Sequence, residues 1–294
     1  MQAASVDTSL RARADELASG AIWLHSIELF PDLVVKGVKP PKTLRKERAA
    51  ILETIDLRGR TVLDVGSWNG YFSFEAKRLG AGRVIASDSY AWKHPHIRGR
   101  ETFELARACL NLDVEAVEID PTELPGPIQP TEIVLFLGVF YHLIDPIDVL
   151  GRVCKLAKDV LVLETHEDLQ HVNKPAMAFY PRSELNQDHT NWWAPNPECM
   201  YELLIANGFT HIVYQRHPIS DCRGVYHAFR TPELAAAYLR RPIDNRTLFD
   251  LGTPAGKSRI FRRYPTSAGA RLAVRNAFDA VISSLLWRLR IRRP

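Results

Sequence analysis

Thr61-Val62-Leu63-Asp64-Val65-Gly66-Ser67-Trp68-Asn69-Gly70 decides how this chain folds. Its first five residues are a short β-branched run stopped by a glycine, the pattern of a buried strand. The glycines let the backbone turn sharply and approach a ligand closely, and a helix expected over 71–79 presents free N–H groups behind the turn. Outward from this turn the period keeps changing. Strands are expected at 83–87, 114–119, 132–137 and 160–164, with helices at 103–111 and 147–156 between them. That alternation predicts a parallel sheet covered by helices on both faces. A helix at 197–207 and two closing strands at 210–215 and 225–230 complete the body, and a helix ending near Gly59 precedes it.

In open parallel sheets ligands bind beyond the carboxyl ends of the strands, and three polar features gather there. The first is the turn, with Asp64 inside its strand and Gly66 and Gly70 after it. The second is Asp88, about twenty residues on, where a carboxylate accepts both hydroxyls of a ribose, with Ser89 beside it. The third is Asp120, placed to reach an adenine edge.

Composition narrows the class. The chain has 294 residues, enough for one full core with attachments. Its 46% apolar and 24% charged content argues for a globular protein rather than a disordered one. Cys109, Cys154, Cys199 and Cys222 stand far apart, which suits free thiols better than a zinc site or a disulfide framework. No apolar run approaches the ~20 residues of a spanning helix, and the first twenty residues lack an apolar leader core, so a cytoplasmic protein is expected. Net charge is +4, yet ten basic residues against one acid lie from Lys257 onward, leaving residues 1–256 at −5. A nucleic-acid enzyme usually carries its positive field around its site.

The acid-x-Gly-x-x-x-Gly turn resembles motif I of class I methyltransferases, not the G-x-G-x-x-G of nicotinamide dehydrogenases. The resemblance implies a Rossmann-like α/β fold with a seven-stranded, mostly parallel sheet, an N-terminal helical cap and a C-terminal helical appendage. It implies S-adenosyl-L-methionine as cofactor. Trp68 replaces the middle glycine of that motif, its ring either closing over the methionine end of the cofactor or packing on the helix. More narrowly, the chain is similar to the tRNA wobble-uridine 5-oxyacetyl/5-methoxyuridine transferase family, whose members use carboxy-S-adenosylmethionine or S-adenosylmethionine. The matching stretches are Gly59 to Gly66, Gly138-Val139-Phe140-Tyr141-His142, Leu161-Val162-Leu163-Glu164-Thr165 and Asn191-Trp192-Trp193-Ala194-Pro195. On that match Lys46, Leu137, Tyr141 and Arg223 fall where the family contacts its cofactor, and Arg223 corresponds to the arginine holding the extra carboxylate. The family's upstream lysine has no counterpart around Phe30.

Methyl transfer is an in-line displacement, so the protein must align the acceptor and, for a hydroxyl, take its proton. Glu164 and His166 alternate outward from a strand end and are candidate bases; the alternative leaves Glu164 bonded to loop amides and His166 on the surface. His142 is a third candidate, read as positional before catalytic. Glu164, His166, Asp188 and His189 can also be read as converging on a divalent ion, but methyl transfer needs none and no metal is expected. Trp192 and Trp193 either stack on a planar base or sugar, or plug a lid onto the sheet. His189 and Arg223 are taken as substrate-side residues with them. His25 either caps the pocket from the N-terminal arm or, with Trp23, anchors that arm.

The expected division is an arm or cap over 1–48, a methyltransferase core over 49–230 with a substrate-side lid at 165–196, an extension over 231–264 and a basic amphipathic helix over 265–294. The stripe Val274, Phe278, Val281, Ile282, Leu285, Leu286 and Leu289 suits packing or dimerisation ahead of contact with an anionic membrane surface, in a monomer or homodimer. The expected activity is methylation of a small-molecule hydroxyl, a sugar or secondary metabolite. It is placed ahead of tRNA wobble-uridine modification because residues 1–256 are net acidic and the basic N-terminal region of the tRNA enzymes is shortened here. A cofactor-binding regulatory protein without turnover is the third reading.

Overall fold

The computed structural model describes residues 2–261, and the amphipathic stripe expected further on lies outside them. A helix α1 (Gln2–Gly20) leads into a hairpin of β1 (Ile27–Phe30) and β2 (Leu33–Val35), then α2 (Pro41–Ile51). The alternating part runs β3 (Thr61–Val65), α3 (Tyr71–Arg78), β4 (Arg83–Asp88), α4 (Tyr90–Lys93), α5 (Gly99–Leu110) and β5 (Glu115–Glu118). It continues through β6 (Thr131–Leu137), α6 (Pro146–Leu156) and β7 (Ala157–His166). A second hairpin, β8 (Met177–Phe179) and β9 (Trp193–Pro195), precedes α7 (Pro197–Ala206), β10 (His211–Arg216) and β11 (Arg223–Phe229). Last come α8 (Pro232–Tyr238), β12 (Phe249–Asp250) and α9 (Pro254–Phe261).

The main sheet has eight strands in the order β12-β10-β11-β7-β6-β3-β4-β5, one more than expected. The extra strand, β12, is two residues long on the edge of β10, too short to carry a periodicity. Side chains alternate between two cores, as the pleat requires. Val62, Ile133, Leu135, Val160, Val162 and Val225 pack on one face with α2, and Leu63, Val65, Val134, Phe136, Leu161 and Leu163 on the other with α6 and α7. Each such side chain contributes roughly 1.5–3 kcal/mol by leaving water.

The direction of the strands positions the site. β4, β3, β6 and β7 are parallel, so Asp88, Gly66, Gly138 and His166 gather at one end of the sheet. β11 runs against β7 and pairs Arg223 with His166, which brings the first residue of β11 to that same end. α2 stops at Ile51, well before residue 59. The chain leaves the helix there to bond Asp56 N to the Tyr238 carbonyl, which closes α8 against it. α1 docks on α5 through fully buried Ala14 and Leu17, and Trp23 Nε1 donates to the Leu17 carbonyl at 2.9 Å. Among the described residues no helix is long and apolar enough to cross a membrane.

The turn after β3 needs its glycines. Gly66 has φ +82°, and a Cβ there would stand 2.4 Å from Val139 Cγ2, the residue that follows β6 and Gly138. Gly66→Ala therefore combines left-handed strain with a clash and should cost about 1–3 kcal/mol, read as a lower urea midpoint at unchanged slope. A wild-type midpoint would contradict this packing of the turn.

Candidate active site

The turn carries a set of buried polar atoms. Asp64 is deep in the sheet, where Ser73 Oγ donates to it at 2.6 Å and burial pushes its carboxyl up to about 7. It braces the turn rather than facing a ligand. Asp88 accepts from Trp68 N and Ala91 N, each at 2.9 Å, and burial still pushes it up to about 6. Trp68 itself adopts φ +51°, a conformation costly for a bulky residue, and its carbonyl accepts from Trp92 Nε1 at 2.7 Å. Among the described residues, Ser67 Oγ, Trp68 Nε1, Asn69 Nδ2 and His25 Nδ1 are buried without a hydrogen-bond partner. His25 enters from the arm, its backbone N donating to Asn69 Oδ1 at 3.2 Å. Burial, and then Lys39, push its imidazole down to about 3, so it is neutral.

Asp120 is committed differently from the expectation. Its carboxylate caps the turn Pro121–Glu123 and accepts from Ser89 Oγ at 2.9 Å, which occupies the side chain meant for an adenine edge. Lys46 is exposed on α2, and Leu137 is half-buried at the end of β6.

The second half of the site is built around Arg223. Its Nε and Nη2 donate to Glu164 Oε1 and Oε2, the latter at 2.8 Å. Nη2 also donates to Tyr141 Oη at 2.9 Å, and Nη1 to His166 Nε2 at 3.1 Å. Asn186 Nδ2 stands 2.6 Å from the same imidazole nitrogen. Burial alone would raise the Glu164 carboxyl, but Arg223 holds it below the usual carboxylate range. Burial likewise opposes the Arg223 cation, and Glu164 overcomes it. Burial pushes Tyr141 up to about 12.

This geometry corrects two of the candidate bases. Glu164 has both oxygens in an ion pair, and His166 Nε2 accepts from a cation, so neither is arranged to take a proton. His142 is arranged differently. Its Nδ1 lies 3.0 Å from Thr190 Oγ1 and 3.1 Å from the Thr190 carbonyl, while Thr190 Oγ1 donates to Asp188 at 2.7 Å. Nδ1 must carry the proton in that chain, leaving the lone pair on Nε2, and burial holds the imidazole below its ordinary value. Among the described residues no three His, Cys, Asp or Glu side chains converge to hold a metal ion, and Glu164 has Arg223 as its cation. Trp192 and Trp193 sit on the β8–β9 hairpin against Phe179, at ring distances of 6.2 and 4.7 Å, and His189 is half-buried near them in sequence.

Glu47 escaped the sequence reading, and Glu167 stood only inside the candidate stretch that follows strand 160–164, with no role assigned to it. Glu47 occupies the inward phase of α2 with Thr43, Leu44, Ala50 and Ile51. It pairs with Lys39 Nζ at 3.0 Å and His217 Nε2 at 3.2 Å, partners that hold it well below the usual range against its burial. A glutamate in the apolar phase of a helix was the available signal. Glu167 accepts from Tyr226 Oη and, at 3.0 Å, Tyr214 Oη, and burial pushes it up to about 7. Its tyrosine partners are strand residues about fifty positions away, beyond any local pattern.

Glu164→Gln leaves Arg223 buried beside a neutral group, which should cost about 3–5 kcal/mol at neutral pH. Because the folded carboxyl is depressed, its contribution is present above the ordinary carboxylate range and is lost as pH falls through the folded value. The gap between wild type and variant should therefore narrow in acid, measured as melting temperature against pH. A gap that widens in acid would contradict the pair.

A family profile described as a methyltransferase domain matches residues 39–215. The chain is 29% identical over 161 residues to a tRNA U34 carboxymethyltransferase of Pseudomonas putida (strain W619), over 54% of this chain and 48% of that one. It is 30% identical over 159 residues to a protein of the same name from Geobacter sp. (strain M21), over 53% and 46%. The chain thus spans about half the length of the curated relatives it matches. Among solved structures, the N-terminal domain of EvdMO1, determined in the presence of SAH and D-fucose, shares its fold at TM-score 0.52 and 15% identity, over 76% of this chain and 95% of that one. With a Rossmann-like sheet, a glycine turn at its ligand-binding end and most of its length inside the profile, the chain belongs to the methyltransferase-domain family of enzymes.

Proposed function

We propose that this chain uses S-adenosylmethionine to methylate the wobble uridine of tRNA. The observation that carries the reading is Arg223, locked by Glu164 and Tyr141 at the ligand end of the sheet. It does so in a chain whose curated relatives are named tRNA U34 carboxymethyltransferase. Those relatives overturn the small-molecule hydroxyl that the charge balance had put first. The reason is physical. Asp64, Asp88, Glu47, Glu164 and Glu167 make the body acidic on paper, yet all are buried and contribute little outward field.

The residues present fit the cofactor. Orphaned Ser67 Oγ, Trp68 Nε1, Asn69 Nδ2 and His25 Nδ1 surround the glycine turn and supply donors and acceptors for a polar ligand. Asp88 would hold the ribose hydroxyls. Bound there, the sulfonium supplies an electrophilic methyl group. Arg223 bears on which group is transferred. Glu164 already neutralises it, and its bonds to Glu164, Tyr141 and His166 leave a single Nη1 hydrogen for a ligand. A carboxylated donor needs more than that, which supports methyl over carboxymethyl transfer. His142 Nε2, its tautomer fixed through Thr190 and Asp188, is placed to take the acceptor proton.

The test is to incubate the chain with tRNA carrying 5-hydroxyuridine at the wobble position, whose hydroxyl is the acceptor, and either S-adenosylmethionine or its carboxylated form, then weigh the wobble nucleoside by mass spectrometry. A methyl group gained from S-adenosylmethionine is expected. No change with either donor would overturn the tRNA reading; a carboxymethyl group would overturn the argument from Arg223. In the same assay His142→Ala should lower turnover ~10²–10⁴-fold with unchanged cofactor affinity. Full activity in that variant would remove the proton role.

A further inference from the structure

Two surfaces at the rim of the site are left unused by the reading above. The first is on α2. This helix descends along β11, since the Ile51 carbonyl accepts from His227 Nε2, four residues below Arg223, at 3.0 Å. Its first turns therefore stand at the ligand end, where Glu47 bridges Lys39 and His217. Lys42, Arg45 and Lys46, spaced three and four apart, form its exposed face, and the one acid among them, Glu47, points inward. Several other surface arginines are paired, as in Arg58–Asp56, Arg83–Glu115 and Arg152–Asp148. These three cations have no ion-pair partner among the described residues. They present a positive strip with no ion-paired carboxylate among the described residues.

The second surface is on the β8–β9 hairpin, over the opposite face of the sheet. Trp192 N donates to the Tyr141 carbonyl at 2.7 Å and Trp193 Nε1 to the Ile144 carbonyl at 3.2 Å, so the hairpin is pinned to the site. Phe179 lies nearly parallel to Trp192, at 7° between planes, and remains 52% exposed. Ile144, whose carbonyl Trp193 bonds, is 64% exposed. A soluble protein that fixes a flat aromatic face in water gains nothing from it without a planar ligand.

We propose that the α2 strip and the Phe179–Trp192 platform grip single-stranded RNA on either side of the target nucleotide, the strip taking backbone phosphates and the platform stacking a flanking base. The occupant follows from the pairing of surfaces. Unbalanced cations match a phosphate chain, and an exposed aromatic face matches a splayed base; a positive groove with stacking rings is the common arrangement for unpaired strands. The inference rests on the tRNA reading and adds where the RNA is held.

The test uses the full chain, an anticodon stem-loop RNA and two variants that spare the cofactor turn, Lys42→Gln with Arg45→Gln, and Phe179→Ser. Affinity is measured by fluorescence anisotropy over a salt series, and S-adenosylmethionine binding is measured by calorimetry. The charge variant should bind RNA more weakly with a salt slope shallower by about 1–2. Phe179→Ser should lose about 5- to 100-fold in affinity with its salt slope unchanged. Both should bind S-adenosylmethionine like the wild type, which shows that they fold. Wild-type RNA affinity and slope in both variants, with tRNA still methylated by the intact chain, would overturn the grip and leave the tRNA reading standing. No RNA binding and no tRNA methylation by the wild type would overturn that reading and the grip with it.

Discussion

The site depends on one buried ion pair, Arg223 with Glu164. The two residues reach each other because β11 runs antiparallel to β7 in the register that sets Arg223 opposite His166 and Val225 opposite Glu164. Slipping that register by one residue would turn Arg223 to the other face of the sheet and leave Glu164 uncompensated in a dry interior. The pair then organises its neighbours. Tyr141 is held by its phenol, His166 by its Nε2, and the short turn after β6 is fixed between them. Each charge offsets the burial that opposes the other's ionised form.

This interaction also separates binding from chemistry. The guanidinium has claimed Glu164 and His166, and in the proposed reaction the proton goes instead to His142 at the rim. The glycine turn is the complementary case. Ser67 Oγ, Trp68 Nε1 and Asn69 Nδ2 have no hydrogen-bond partner among the described residues, a cost that a polar ligand at the turn would offset. A satisfied network thus stands beside an unsatisfied one, and the boundary between them runs along Gly66 and Gly138.

Most of the fold was legible in the sequence because periodicity reports burial. The run Val62 to Val65, the strand ending at Asp88 and the helix over α6 all lie where the apolar pattern put them. What was not legible is long-range or too short. β12 has two residues, α4 has four, and the β8–β9 hairpin is separated by a loop without repeat. The site was legible as a set of residues but not as a set of bonds. Sequence named Glu164, His166 and Arg223 separately, yet only the β7–β11 register shows that the third disarms the first two as bases. Net charge misled for a related reason: it counts Glu47 and Glu167 equally with surface acids, although neither faces water.

A crystal structure of the chain with S-adenosylhomocysteine tests this account most directly. The ribose is expected on Asp88, the amino-acid end against Ser67, Asn69 and His25, and Arg223 still paired with Glu164. A ligand that draws Arg223 away from Glu164, or that binds elsewhere than the turn after β3, would contradict it.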